Sequence, residues 1–148
     1  MKTISLTKNR VTLVDEDDYE YLNQFTWYCT SSKYAARKPR SGIIYIHRLI
    51  MDCPLNLFVD HINHDTLDNR KENLRICSKR DNQRHQQKRK GVTSSKYKGV
   101  HFFKRDRLWV AQIDGAHIGR YVTENESAEA YNVEAAKLHG NFAKLNKL

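Results

Sequence analysis

The run Gln86-Gln87-Lys88-Arg89-Lys90-Gly91-Val92-Thr93-Ser94-Ser95 constrains this chain most. It is basic, then small and polar, and has no hydrophobic period, so it reads as a linker. A chain of 148 residues has room for one ordinary domain or two small ones, and a linker there favours two. Each side must bury its own apolar face, so two small α+β modules are expected. The boundaries that follow are a strand-rich segment over 1–52, a compact centre over 53–88, a linker over 89–95 and a terminal domain over 96–148.

The N-terminal segment reads as short strands at Arg10–Val14, Phe25–Cys29, Tyr34–Arg37 and Ile43–Ile46, with a short helix near Asp18–Leu22. After the linker the pattern resets. Tyr97–His101, Leu108–Ile113 and His117–Val122 read as three strands, and Asp114-Gly115 is a hairpin signal. Thr123-x-x-Glu126 is a capping box, opening a helix that Gly140 would end. Ala128, Tyr131, Ala135 and Leu138 form one apolar stripe that can lie on the sheet.

Lys and Arg number 26 against 17 Asp and Glu, a net charge of +9. Such a balance favours polyanionic partners, because each neutralised phosphate releases a condensed counterion. No apolar run approaches the ~20 residues that span a bilayer, and no secretory leader is apparent, so no membrane partner is expected. Cys29, Cys53 and Cys77 are scattered, odd in number and without a C-x-x-C pair. They read as small half-buried residues of a cytoplasmic, reducing environment, not as disulfides or a zinc site.

The segment Val59-Asp60-His61-Ile62-Asn63-His64-Asp65 and its continuation to Asn82 carry the chemistry. Phosphodiester hydrolysis needs an activated water, a Lewis acid on the phosphate and a proton for the leaving oxygen. A histidine beside a carboxylate offers a base next to a metal ligand. In an extended strand the two side chains leave on opposite faces, so a bend at this point is expected. Ser78-x-x-Asp81 marks a helix start that carries Asn82. A carboxylate and an amide oxygen suit Mg²⁺ or Mn²⁺ more than zinc. Asn63 and Asn69 read as loop formers, since Asn bonds its local backbone. From Lys79 to Lys90 the chain holds six Lys or Arg (Lys79, Arg80, Arg84, Lys88, Arg89 and Lys90) and one Asp, a candidate phosphate-contacting helix.

At these residues the chain resembles the HNH nucleases with the ββα-metal fold, in particular their phage and intron-encoded, homing-type branch. The resemblance implies that His61 is the general base and that Asp60 and Asn82 hold a divalent ion. It also implies that Asn73 secures the loop and the His61 ring. Ile46-His47-Arg48-Leu49-Ile50 looks like the element that precedes this core, with His47 structural. His64 departs from the branch, which has Gly there.

The stretches Tyr97-Lys98-Gly99-Val100, Trp109-Val110-Ala111-Gln112-Ile113, Ile118-Gly119-Arg120-Tyr121 and Ala128–Leu138 resemble the APETALA-two type DNA-binding domain of plant ethylene-response factors. That resemblance implies a three-stranded sheet backed by one helix, its open face in the major groove of double-stranded DNA. By position Lys98, His101 and Gln112 would face the groove, and Lys104 and Arg105 would lie in a contacting turn. The combined expectation is a metal-dependent DNA endonuclease without an obligate protein partner. A non-cleaving DNA-binding regulator is the alternative.

Overall fold

The computed structural model describes residues 1–88, 91 and 93–148, a mixed α/β structure of small sheets and helices. It divides into two compact units, Met1–Lys79 and Arg80–Leu148. The division falls ahead of the stretch expected as a linker.

In the first unit, β1 (Lys2–Leu6) and β2 (Arg10–Val14) form a hairpin in the register Leu6↔Arg10. Lys8 and Asn9 turn it with positive φ, 64° and 52°, the left-handed pair a tight hairpin needs. Ile4, Leu6, Thr12 and Val14 point inward, an alternation with period two. The strand β1 was absent from the expectation above, although Ile4, Leu6 and the Lys8-Asn9 turn carry its signal. After α1 (Glu16–Leu22), β3 (Tyr28–Cys29), β4 (Ala35–Arg37) and β5 (Ile44–Tyr45) make a second sheet. Ile46, expected at a strand end, instead starts helix α2 (Ile46–Ile50). Trp27 fills the centre with Val14, Leu22 and Ile46, and its indole N–H donates to the Leu22 carbonyl at 2.8 Å. Arg48 leaves α2 and donates to the carbonyls of Cys53, Pro54 and Leu57, which pins the approach to the next strand.

That strand, β6 (Phe58–His61), pairs antiparallel with β7 (Leu74–Cys77). The ladder runs unbroken through Asp60↔Arg75 and His61↔Leu74. The bend expected between Asp60 and His61 is therefore absent. The chain turns only after His61, where the His64 N–H reaches the His61 carbonyl at 3.0 Å. Cross-strand hydrogen bonding holds both residues extended, and they leave the strand on opposite faces.

The second unit begins with α3 (Lys79–His85), of which Lys79 itself falls in the first unit. Then β8 (Val100–Phe103), β9 (Leu108–Ile113) and β10 (Ala116–Tyr121) form one antiparallel sheet in the order β10-β9-β8. Asp114 and Gly115 turn the hairpin with φ of 48° and 86°. Helix α4 (Glu124–His139) opens with the complete capping box of Thr123 and Glu126. It covers one sheet face: Tyr131 and Ala135 pack on Ala111 and Ile113, and Ala128 on Val100.

Gly99 stands where φ is +74° and where a Cβ would meet the Tyr131 ring at 2.1 Å and the Gln112 carbonyl at 2.6 Å. Gly99→Ala is expected to destabilise this unit by about 2–4 kcal/mol, from left-handed strain and overpacking together. Chemical denaturation monitored by Trp109 fluorescence checks this, and a loss under about 0.5 kcal/mol would contradict it.

The half of the expected linker nearest the sheet is not a free tether. Ser95 is buried, its hydroxyl donates to Glu124 at 2.7 Å, and Ser94 Oγ accepts from the Phe102 N–H at 2.9 Å.

Candidate active site

The chemistry-bearing residues of the first unit converge on the β6–β7 connection, a loop built from its own polar side chains. The Asn73 Oδ1 accepts from the Asn63 N–H at 2.9 Å, and its Nδ2 donates to the Asp68 carbonyl at 2.8 Å. Asn63 Nδ2 donates to Asp68 at 2.9 Å, and Arg70 donates to both Asp68 oxygens at 2.8 and 2.7 Å. Those bonds, Arg70 first, hold the Asp68 carboxyl below the usual carboxylate range against the opposing effect of burial. The loop is also laced to β2, since Leu13 donates to the Leu67 carbonyl and accepts from the Asn69 N–H. His64 sits at φ +65°, in the left-handed region. That backbone angle is the physical reason a glycine suits this position.

The His61 ring is held by a chain of hydrogen bonds that assigns its protons. The Thr12 hydroxyl donates to the Leu67 carbonyl at 2.7 Å and accepts from Asn69 Nδ2 at 2.6 Å. The amide of Asn69 is thereby oriented, with its Oδ1 3.1 Å from His61 Nε2. A carbonyl oxygen cannot donate, so Nε2 carries the proton and Nδ1 keeps the lone pair. The ring was expected to be secured by Asn73. Asn73 secures the loop, whereas Asn69, expected only as a loop former and fully buried, secures the ring. Local sequence cannot distinguish these roles, because the partner that orients Asn69 is Thr12, 57 positions away.

Aromatic rings wall His61. His47 meets it edge-on at 5.2 Å between centroids, and Tyr34 lies at 5.9 Å. Burial pushes the His61 pKa down, against the raising effect of the Asn69 bond and the nearby carboxylates. Burial, then repulsion from His61 and Arg48, takes His47 down to about 3. Both rings are therefore neutral at pH 7, which a base requires.

Both shifts make stability depend on pH in one direction. Each histidine takes up a proton near 6.5 when unfolded but resists it when folded. The unfolded chain thus binds more protons below that pH, and stability falls as pH drops, down to about 3 for His47. The slope should approach about 1.4 kcal/mol per pH unit for each histidine. Urea melts from pH 7.5 to pH 4.5 test this, and a flat or rising stability toward acid would contradict it.

Asp60 lies on the other face of β6, buried, with Arg75 Nε and a terminal guanidinium nitrogen at 2.8 and 2.6 Å from its Oδ2. Among the described residues no three His, Cys, Asp or Glu side chains gather as a metal cage. Asn82 is on α3 and belongs to the second unit.

Residues 45–84 match the family model described as HNH endonuclease. The matched segment is similar to HNH endonuclease domains. It runs from the residue before α2 through β6, the polar loop and β7 into α3, and so contains His47, Asp60, His61, Asn69, Asn73 and Asn82. The chain is also 28% identical over 150 residues to an uncharacterized HNH endonuclease of Acanthamoeba polyphaga mimivirus. That alignment covers 95% of this chain and 77% of the viral one. No solved structure matches it. The family match and the viral relative support a DNA endonuclease, and no helix among the described residues is long and apolar enough to cross a membrane.

Of the candidate DNA contacts, Lys79, Lys104, Arg105 and Gln112 are exposed and His101 is half-buried. Residues 101, 110, 112, 117 and 120 share the sheet face opposite α4, by the register of β8, β9 and β10. His117 and Arg120, which did not figure in the expected contacts, are therefore neighbours of Gln112 and His101. Lys98 differs from its expected role. Its ammonium donates to the carbonyls of Arg84 at 2.5 Å and Gln86 at 2.8 Å, and burial lowers its pKa. Lys88 likewise donates to the carbonyls of Tyr97 and Val100. Arg84 is turned onto Asp114 at 3.1 Å, with exposed Arg80 at 3.5 Å from the same carboxylate. These cations tie α3 and the segment after it to the sheet. Arg89 and Lys90 lie outside the described residues.

Proposed function

We propose that this HNH endonuclease domain hydrolyses phosphodiesters of double-stranded DNA in a metal-dependent reaction, with His61 as general base, and that the second unit positions it on the duplex. The single observation behind this reading is the Leu67–Thr12–Asn69–His61 chain, which supports a neutral imidazole whose proton sits on Nε2 and whose Nδ1 keeps its lone pair. Nδ1 takes the proton of the attacking water, and the imidazolium that forms is stabilised by the Asn69 carbonyl and nearby carboxylates. Water attacks phosphorus, and the departing sugar oxygen gains a proton.

Asp60 fits a hard divalent ion such as Mg²⁺ or Mn²⁺, since it offers oxygen in a buried setting. By the family resemblance Asn82 supplies the second protein ligand. Such an ion, when bound, acts as a Lewis acid on the scissile phosphate. Arg75 balances the Asp60 charge and holds its carboxylate in place. The sheet face of Gln112, His101, His117 and Arg120 fits the groove-reading role of an APETALA-two type domain, and a homing-type role agrees with the resemblance of the Asp60–Asn82 segment to the homing-type HNH branch. Incubation with supercoiled plasmid and Mg²⁺ or Mn²⁺, with and without EDTA, tests the reading. Nicked or linear product that EDTA suppresses supports it; intact plasmid with both ions sinks it.

Asn69 is a positioning residue in this scheme. Asn69→Ala should lower kcat about 10–100-fold with KM little changed, since the base loses its orientation rather than its substrate contact. Asn69→Asp places a carboxylate on Nε2, raises the His61 pKa and moves the acid limb of the pH–rate profile to higher pH. An unmoved limb in Asn69→Asp would leave Asn69 with a structural role alone.

A further inference from the structure

The C-terminal tail of the second unit is fastened beside the segment that feeds β8. The Asn146 side chain closes both backbone groups of Lys98: Oδ1 accepts from its N–H at 2.7 Å, and Nδ2 donates to its carbonyl at 3.1 Å. The Asn146 backbone is closed in turn by the Asn132 amide on α4, at 2.7 and 3.0 Å. Two reciprocal amide pairs thus do for the tail what a strand ladder does elsewhere.

The fastening edges an open cleft of about 430 Å³ with Lys88, Lys96, Lys98, Lys144 and Lys147. Lys88 and Lys98 already spend donors on carbonyls. Lys96, Lys144 and Lys147 form no ion pair with a carboxylate among the described residues. The carboxylate of Glu124 acts electrostatically on Lys88, but its Oε1 is engaged by the Ser95 hydroxyl and, at 3.2 Å, by the Lys96 N–H. Lys144 repels the Lys98 ammonium. Ammonium groups gathered around one cleft repel one another, and a bound anion relieves that repulsion. The tail's amide pairs hold the cluster together without an anion, so the cleft is formed in advance.

We propose that this cleft binds backbone phosphates of duplex DNA, at a site separate from the open sheet face. Lysine is a compact charge with three rotatable donors, and it tolerates phosphate positions that vary with sequence. Contacts of this kind position a protein on the duplex without reading it. The proposal rests on the second unit being the DNA-binding part of the chain.

The test is anisotropy titration of a 25–30 bp duplex by the full-length chain across a salt series in EDTA. The triple variant Lys96→Gln, Lys144→Gln, Lys147→Gln should flatten the slope of log Kd against log salt by about 2–3. It should lose on the order of 10²-fold affinity near 0.1 M salt, while the preferred sequence stays the same. The corresponding triple Lys→Arg variant should keep the wild-type slope, and Lys137→Gln on α4, a lysine 3.6 Å from Glu134, should change it by less than one. Thermal melts of both triples should match wild type. Wild-type binding with the Gln triple unchanged in slope and affinity overturns the cleft alone. No duplex binding by the wild-type chain at low salt overturns the cleft and the DNA-binding reading together.

Discussion

His61→Ala is expected to lower cleavage by at least 10²–10⁴-fold, roughly, while duplex affinity changes only a few-fold. The size follows from what is removed. A neutral imidazole, its Nε2–H held by Asn69, would accept the proton of the attacking water at Nδ1. His47 is the next nearest imidazole, but burial holds it down to about 3, so it is a poor proton acceptor near neutrality. The ring is also part of the core wall. Alanine leaves a cavity against His47 and Tyr34 and an unpaired Asn69 carbonyl, at a cost of about 1–3 kcal/mol. The catalytic loss must therefore be read on protein shown to be folded by a thermal melt. Added imidazole offers a signature that misfolding does not share: it should restore part of the activity of His61→Ala, with a pH dependence following its own titration. Wild-type cleavage by folded His61→Ala would remove His61 from the mechanism.

Asp60→Ala should fail in two ways that a second substitution separates. The first is catalytic: with no carboxylate, the divalent ion required for activity rises steeply in concentration or supports none at all. The second is structural. Arg75 is only 18% exposed and faces Asp60 at 2.6 Å, so removing the acid takes a carboxylate partner from a largely buried guanidinium, at about 2–4 kcal/mol. The double variant Asp60→Ala, Arg75→Met should recover most of that stability, because the pair is removed as a unit. It should recover no cleavage. Restored cleavage in the double variant would mean that Asp60 serves the fold alone. Asn82→Ala should raise the metal requirement without the stability loss, and an unchanged Mg²⁺ titration there would discard its role as a ligand.

Much of this molecule was legible in one dimension, for physical reasons that differ by region. The second sheet and its helix were legible because their signals are local: Asp114-Gly115 adopts the positive φ values the turn demands, and Thr123 and Glu126 cap each other across one turn. Asp60, His61 and Asn73 stood out because an acid, a base and a loop-closing amide recur at a recognisable spacing. Asn73 indeed bridges Asn63 and Asp68 across its own loop. Other features depended on residues distant in sequence. Asn69 looks like any loop asparagine until Thr12 on β2 turns its amide toward His61. Lys98 looked like a base reader, yet the carbonyls of Arg84 and Gln86 claim its ammonium. Ser95 looked like tether, yet Glu124 from the start of α4 buries it. Sequence by itself determined which residues can accept a proton, carry a charge or turn the backbone, because those are properties of single side chains and near neighbours. Only the tertiary structure decided which proton sits on which nitrogen and which cations remain available for phosphate, because a hydrogen-bond partner many positions away is chosen by packing.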